Sequence, residues 1–311
     1  MCAVAVTRKL KALESGDRIA VLALASPLDR VTFDQGIEEI KALGFEPVFD
    51  QRVFAREGFV AGTARDRAAV LLEAWNDPSI SAVIAVRGGV GSAELLPFLD
   101  PVALAKSGKP FIGSSDLTAL LTFLNLECGI VAFHGPMVVT LASREEGYDR
   151  GSLLGCVSRS RPLGELAFDG VKSIVEGTVS GPLLGGTISQ ILASLGTPFA
   201  FNPPEGHVLL LDEVNERPYR LKRMITQLAQ SGILAKAKAV IFAECPGCDE
   251  PDGLKASELM ENLFEGFHGP VLFGFPTGHT TGALVTLPLG IKVTVVSGER
   301  SRLVFDEAAV E

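Results

Sequence analysis

The sequence predicts an α/β chain, with a parallel, doubly wound sheet in the first half and a smaller, β-rich α/β domain in the second. Three observations carry this. Short apolar runs alternate with amphipathic helical patterns as far as residue 133, and such alternation implies parallel strands joined by crossover helices. Strand-like runs dominate from about residue 171 onward. Between these parts, residues 143–170 are polar and include the charged run Ser143-Arg-Glu-Glu-Gly-Tyr-Asp-Arg150. The expected division is a first domain over 1–145, a connection with one short helix over 146–170, and a second domain over 171–311. A length of 311 residues suits two cores better than one.

The elements follow in order. Residues 18–25 (RIAVLALA) read as a buried strand. Thr32-Phe-Asp-Gln35 has a capping-box pattern and opens a helix that stops at Gly44. Residues 47–49 form a short strand candidate. Thr63 starts a second helix, with Ala68, Leu71, Leu72 and Trp75 on one face. Residues 81–86 and 110–113 are further strands, 116–126 a helix and 129–133 a strand. In the second half, strands are expected at 173–179, 207–212, 239–243, 271–275, 292–296 and 302–305. Helices are expected at 188–195 and from Pro218, where Leu221, Met224, Ile225 and Leu228 share a face. Ligands of open parallel sheets sit at the carboxyl ends of the strands, so the loops after these runs hold the candidate chemistry.

Composition narrows the function. The net charge of −9, from 28 basic and 37 acidic residues, argues against a nucleic-acid partner. No apolar run has the ~18 residues of a membrane helix. The apolar stretch at residues 2–6 is too short for a signal peptide, and its basic residues follow it; a cytoplasmic protein is expected. Five scattered cysteines do not form a disulfide framework. Cys245-Pro-Gly-Cys248 has redox-motif spacing, yet its place after a strand deep in the second half favours loop packing over redox chemistry. No metal site and no cofactor are expected: there is no H-E-x-x-H pair, and Arg87-Gly-Gly-Val-Gly91 lacks the third glycine of a dinucleotide loop.

The sharpest chemical signal is Gly113-Ser-Ser-Asp116. A strand ends at a glycine and a helix begins within three residues. A serine at that corner projects its hydroxyl off the sheet, where helix N-terminal N–H groups favour a developing oxyanion. Leu117 stands where G-x-S-x-G would have its second glycine, and a plain helix cap explains the turn equally well. Both Ser114 and Ser115 are candidates. The base must come from four histidines, 134, 207, 268 and 279. His134 directly follows a strand, and His279 lies in the glycine-rich loop Phe275-Pro-Thr-Gly-His-Thr-Thr-Gly282. Asp212, Glu213 and Glu216 cluster before the Pro218 helix, as orienting acids or as helix N-terminal charges.

These segments together resemble the L,D-carboxypeptidase family, serine peptidases that include muramoyltetrapeptide carboxypeptidases and microcin C immunity peptidases. The matching stretches are residues 87–100 (RGGVGSAELLPFLD), 113–116 (GSSD), 133–136 (FHGP), 181–189 (GPLLGGTIS), 211–223 (LDEVNERPYRLKR), Gly278-His279 and 287–290 (LPLG). They span residues 17–306 in the family's order. The resemblance implies a Rossmann-like first domain and a triad of Ser115, Glu216 and His279 assembled across the domain interface. With this triad an oxyanion hole is expected from the N–H groups of Gly88, Gly89 and Asp116, and substrate contacts are expected from Arg87, Ser114, His134 and Tyr219. The implied substrate is a peptide ending in a D-amino acid, the murein tetrapeptide that loses D-Ala in cell-wall recycling, and a homodimer is implied. The enzymatic alternative is an immunity peptidase acting on an aminoacyl nucleotide; the other is a non-catalytic small-molecule-binding protein. Val90, Thr187 and Lys222 depart from the family pattern, near the cleft rather than on the triad.

Overall fold

The computed structural model describes residues 7–311, Glu145 through its backbone alone. Cys2 and the apolar run at 2–6 lie outside the described residues. All eleven strand candidates named above emerge as β-strands, the run at 173–179 divided between two of them, and two others are added, one in the polar connection and one near residue 287. In the first half these are β1 (Arg18–Leu22), β2 (Glu46–Val48), β3 (Ala82–Ala85), β4 (Phe111–Gly113) and β5 (Ala132–His134). The second half holds β6 (Gly164–Leu166), β7 (Lys172–Val175), β8 (Gly177–Thr187), β9 (His207–Asp212), β10 (Ala237–Ala243), β11 (Val271–Phe275), β12 (Leu287–Leu289), β13 (Lys292–Ser297) and β14 (Arg302–Phe305).

The first sheet has the order β12-β5-β4-β3-β1-β2. Strands β1 to β5 are parallel, and β12 lies antiparallel on β5 with Leu287 opposite His134. The second sheet has the order β6-β14-β13-β8-β9-β10-β11-β7. Its centre, β8 to β11, is parallel, and antiparallel strands complete both sides. The chain is thus an α/β protein with a mostly parallel N-terminal sheet and a mixed C-terminal sheet. The polar connection is ordered: it holds the helix Arg150–Val157 and the edge strand β6.

Strand alternation divides the interior. Leu183, Val208, Leu210, Ala239, Ile241 and Leu272 join a core continuous with the first sheet. Their chain neighbours Leu184, Leu209, Leu211, Val240 and Phe242 form a second core, because successive side chains leave opposite faces of a strand. That second core takes Ile188 and Ile191, Leu221, Ile225 and Leu228, and Leu259 and Met260 from three covering helices.

Local signals placed most helix ends. Thr63 caps Ala64–Asn76, its hydroxyl accepting from Asp66 N–H at 3.1 Å. The earlier helix, Arg30–Ala42, starts ahead of the expected capping box. Asp29 is its cap and accepts from Thr32 N–H at 2.9 Å, since a carboxylate is the stronger acceptor at a helix N-terminus. No helix among the described residues is long and apolar enough to cross a membrane. Among them, too, no cluster of three or more His, Cys, Asp or Glu side chains is arranged to hold a metal ion. Cys245 and Cys248, expected as packed thiols, form a disulfide, because the turn brings their Cα atoms to 5.6 Å, within bridging range.

Candidate active site

Strand β4 ends at Gly113, and a 3-10 turn over Ser115–Leu117 leads into the helix Thr118–Leu126. Ser115 is half-buried and left-handed, with φ 59°. A side chain in that region is strained, and the strain turns Cβ outward at the corner, as in a nucleophile elbow. Ser114 is extended and buried. Asp116 ties the elbow to the neighbouring glycine loop: its Oδ2 accepts Ser92 N–H at 2.9 Å. Gly88 packs so close that a Cβ there would lie 3.0 Å from Ser115 Oγ and 3.2 Å from Asp116 N. Among the described residues, the N–H groups of Gly88 and Gly89 donate to no protein acceptor.

His279 follows β11, and its loop folds back onto the end of β9. Asp212 is the last residue of β9 and is fully buried. Its Oδ2 accepts from His279 Nδ1 at 2.8 Å and from Thr187 Oγ at 2.9 Å, while its Oδ1 accepts His279 N–H at 2.8 Å. Gly278 makes this possible: it is left-handed, and a Cβ would lie 2.4 Å from Asp212 Cγ. Burial pushes the Asp212 carboxyl up, but the hydrogen bond and charge of His279 outweigh it and hold the pKa below the ordinary value. Burial likewise pulls the His279 imidazole down, and the bond and charge of Asp212 raise it above 6.5. The pair is therefore a carboxylate facing Nδ1–H, which leaves Nε2 as the free position.

The three acids of the 212–216 segment diverge. Asp212 meets His279. Glu213 leaves the opposite side of the chain and accepts Ser189 N–H at 3.0 Å, at the start of the helix Ile188–Ser194; burial raises its pKa. Glu216, the acid implied by the resemblance, bonds to both Nε and Nη2 of Arg220 one turn along. The structure thus replaces Glu216 with Asp212 as the partner of His279. The reason is reach: β9 carries Asp212 to the sheet edge, whereas the following loop carries Glu216 away to the helix Pro218–Gln230.

A cleft of about 630 Å³ gathers Arg87, Gly88, Gly89, Ser114, Ser115 and His279. Loop residues Met137, Thr140, Glu146, Pro246 and Thr281 complete its wall. Among the described residues Arg87 forms no salt bridge. Two expected substrate contacts fall elsewhere. His134 is fully buried under β12, its Nδ1 donating to Thr277 Oγ at 3.3 Å, since that hydroxyl already donates to Val285 O. Burial lowers its pKa to about 4. Tyr219 is 58% exposed outside the cleft, with the Arg223 guanidinium over its ring. Of the residues that depart from the family pattern, Thr187 touches the Asp212–His279 pair and also links the two halves. Its N–H donates to Thr118 Oγ at 3.0 Å, just behind the elbow. Gly186 permits this approach, because a Cβ would lie 2.6 Å from Thr118 Oγ1.

The model of the LD-carboxypeptidase N-terminal domain matches residues 19–135, and that of the LD-carboxypeptidase C-terminal domain matches residues 180–295. A probable murein peptide carboxypeptidase of Bacillus subtilis is 30% identical over 305 residues, covering 95% of this chain and 94% of the relative. The chain belongs to the LD-carboxypeptidase family. Another LD-carboxypeptidase relative, the murein tetrapeptide carboxypeptidase of Pseudomonas aeruginosa, is 30% identical over 299 residues, 92% of this chain and 94% of its own. Among solved structures, the muramoyltetrapeptide carboxypeptidase of Oxalobacter formigenes superposes with a TM-score of 0.81 at 29% identity, covering 94% of this chain and 99% of that one. The wild-type apo form of the microcin C7 self-immunity protein MccF gives 0.87 at 21% identity, covering 98% and 100%; at that identity the likeness is one of fold.

The LD-carboxypeptidase motifs lie where the cleft is. The glycine loop after β3, the serine elbow after β4 and the histidine loop after β11 converge on it. Asp212 was visible as the charge that ends the apolar run Val208–Leu211, a position that faces the ligand edge of a parallel sheet. The family resemblance placed the acid at Glu216 instead.

Proposed function

We propose that the chain is a serine L,D-carboxypeptidase with Ser115 as nucleophile, His279 as base and Asp212 as the acid that orients it. The observation that carries this reading is the buried Asp212–His279 bond opening onto the same cleft as the left-handed Ser115. His279 Nε2 takes the Ser115 hydroxyl proton as Oγ attacks the carbonyl of the L,D amide. Asp212 holds Nδ1–H and stabilises the imidazolium that forms. The N–H groups of Gly88, Gly89 and Asp116 receive the oxyanion. His279 then protonates the departing amine, the D-residue leaves, and water hydrolyses the acyl-enzyme with His279 again as base.

Arg87 supplies the free cation that a carboxypeptidase needs for its substrate's terminal carboxylate. The names of the relatives favour murein tetrapeptide, with release of D-Ala. Among the described residues the lining of the cleft includes no Phe, Tyr or Trp and so no ring for stacking a nucleotide base, which disfavours an immunity-type substrate. Cytoplasmic cell-wall recycling and a homodimer belong to the same reading and rest on family resemblance.

The test is a panel of L,D- and L,L-peptides scored by mass loss. Loss of D-Ala from L,D-peptides alone is expected, and Ser115→Ala should lower the rate by at least ~10³-fold. Cleavage of L,L-peptides alone, or full activity in Ser115→Ala, would sink the proposal.

A further inference from the structure

The Cys245-Pro-Gly-Cys248 turn has no part in the chemistry described above, yet it touches both loops that build the Asp212–His279 pair. It follows β10, and its two sulfurs are joined. Immediately before the bridge, Glu244 Oε2 accepts two bonds from Thr281, from N–H at 2.8 Å and from Oγ–H at 2.7 Å. Thr281 lies two residues beyond His279 and lines the cleft. Inside the bridge, Pro246 O accepts Asn215 N–H at 2.8 Å. Asn215 lies three residues beyond Asp212 and is left-handed, with φ 56°. The contact is tight: a Cβ on Gly247 would lie 2.2 Å from Asn215 Oδ1. Pro246 itself forms part of the cleft wall.

The turn is held in an uncommon shape. Cys245 is one of the few non-glycine residues with positive φ, at 56°. The disulfide closes the turn over this residue, so Glu244 and Pro246 O are presented together to the two loops. Beyond the His279–Asp212 bonds, Glu244 provides the only side-chain hydrogen bonds from outside the loop to Thr280–Gly282 among the described residues. Cys245, only 4% exposed, also lines a second cavity of about 460 Å³ with Glu244, Lys172 and Lys255, the side from which a small dithiol would have to approach.

We propose that the disulfide-closed turn Glu244–Cys248 is a reducible brace that positions His279 on Asp212. Glu244, Cys245 and Cys248 are positioning residues, and the proposal rests on the Ser115–His279–Asp212 reading. A dithiol supplies the electrons. Its thiolate attacks one sulfur, the S–S bond breaks, and the other cysteine leaves as a thiolate. The second thiol of the reductant then resolves the mixed disulfide. The protein gains two electrons and two protons, and the reductant departs as its own disulfide. The turn then loses its closure, and the His279 loop loses its fixed registry.

The test measures D-Ala release by the full-length enzyme before and after dithiothreitol, with thiol titration as a control. Reduction should expose two further thiols and lower kcat by about tenfold to a hundredfold, the cost of a misplacement near 1 Å, with little change in KM. Reoxidation by diamide should restore the rate. The C245S/C248S double variant should sit at the reduced level and ignore dithiothreitol. Glu244→Ala should show the same loss in kcat, and Glu244→Gln, whose amide oxygen still accepts, should recover most of it. The proposal fails if titration finds no bridge in the isolated protein. It also fails if reduction and the double variant lower the melting temperature but leave kcat unchanged, which would make the turn a structural staple. Ser115→Ala separates the two readings: an inactive Ser115→Ala beside a redox-indifferent enzyme removes the brace alone, and an active Ser115→Ala removes the hydrolase reading beneath it.

Discussion

Asparagine at position 212 is the perturbation that bears hardest on the site. The Asp212 carboxylate accepts three hydrogen bonds, two from His279 and one from Thr187, and it is fully buried. Asparagine has one acceptor oxygen and a donor NH₂ in place of the other. With its oxygen retained on His279 N–H, its NH₂ faces His279 Nδ1. The imidazole must then carry its proton on Nε2, the position that has to receive the proton of Ser115. The stabilising charge on the imidazolium is lost as well. By the precedent of this substitution in other serine triads, kcat should fall by ~10⁴, about 5 kcal/mol of transition-state stabilisation. The matched control is Glu216→Gln. It weakens only a surface pair one helical turn apart, worth about 0.3–0.5 kcal/mol, so kcat should change by less than about threefold. The assay is D-Ala release from an L,D-tetrapeptide near neutral pH, with circular dichroism to confirm folding. A near-wild-type Asp212→Asn beside an inactive Glu216→Gln would refute the assignment and restore Glu216 as the acid.

Four further outcomes follow from the same geometry. The acid limb of kcat/KM should have its midpoint above 6.5, because His279 must be neutral to act as base and its pKa is raised; a midpoint at or below 6.5 would contradict the pairing. Stability should decline as pH falls from 6.5 towards about 4. Burial lowers both His134 and His207 to about 4, so the unfolded chain takes up protons that the folded one refuses. The raised pKa of His279 works in the opposite sense, its stabilisation being present below 6.5 and lost as pH rises through its folded pKa; a flat melting temperature over the 6.5-to-4 window would show that the two buried rings do not dominate. Gly88→Ala keeps an allowed φ, but its methyl would lie 2.9 Å from Ser115 Cβ and must displace the elbow, so kcat should fall by about 10²-fold or more as the oxyanion space is crowded; unchanged turnover would place that space elsewhere. Ser115→Gly should be inactive and more stable than Ser115→Ala by about 1 kcal/mol, from relief of the left-handed conformation; equal melting temperatures would show that the elbow stores no strain.

Much of this architecture was legible because it depends on short-range pattern. Runs such as residues 82–86 and 208–211 are wholly apolar and became central strands. The Ser115 elbow was readable from a strand ending at glycine beside a helix start. What could not be read depended on contacts distant in sequence. His134 ends a strand, as an edge-facing residue should, but β12 arrives from more than a hundred residues away and covers it. The acid at the histidine was ambiguous because Asp212, Glu213 and Glu216 lie within five positions, and only the paths of β9 and the loop after it separate them. The short strand β12 carries a proline and no alternation, so it has no strand signature of its own. The bridge between Cys245 and Cys248 depends on a left-handed cysteine, which spacing does not reveal.

Strand β12 also sets a clock on biosynthesis. The sheet that carries Ser115 has its last strand supplied by Leu287–Leu289, roughly 150 residues after β5. At about 5–20 residues per second, a ribosome needs roughly 8–30 s to make that stretch. Throughout this interval β5 presents an open edge, the kind of surface that recruits other chains. His279 lies eight residues before the closing strand, so the sheet is sealed and the proposed base delivered almost together. On the Ser115–His279–Asp212 reading, the nascent chain is hydrolytically silent until residue 289 has emerged, and its most vulnerable period is the wait before that moment.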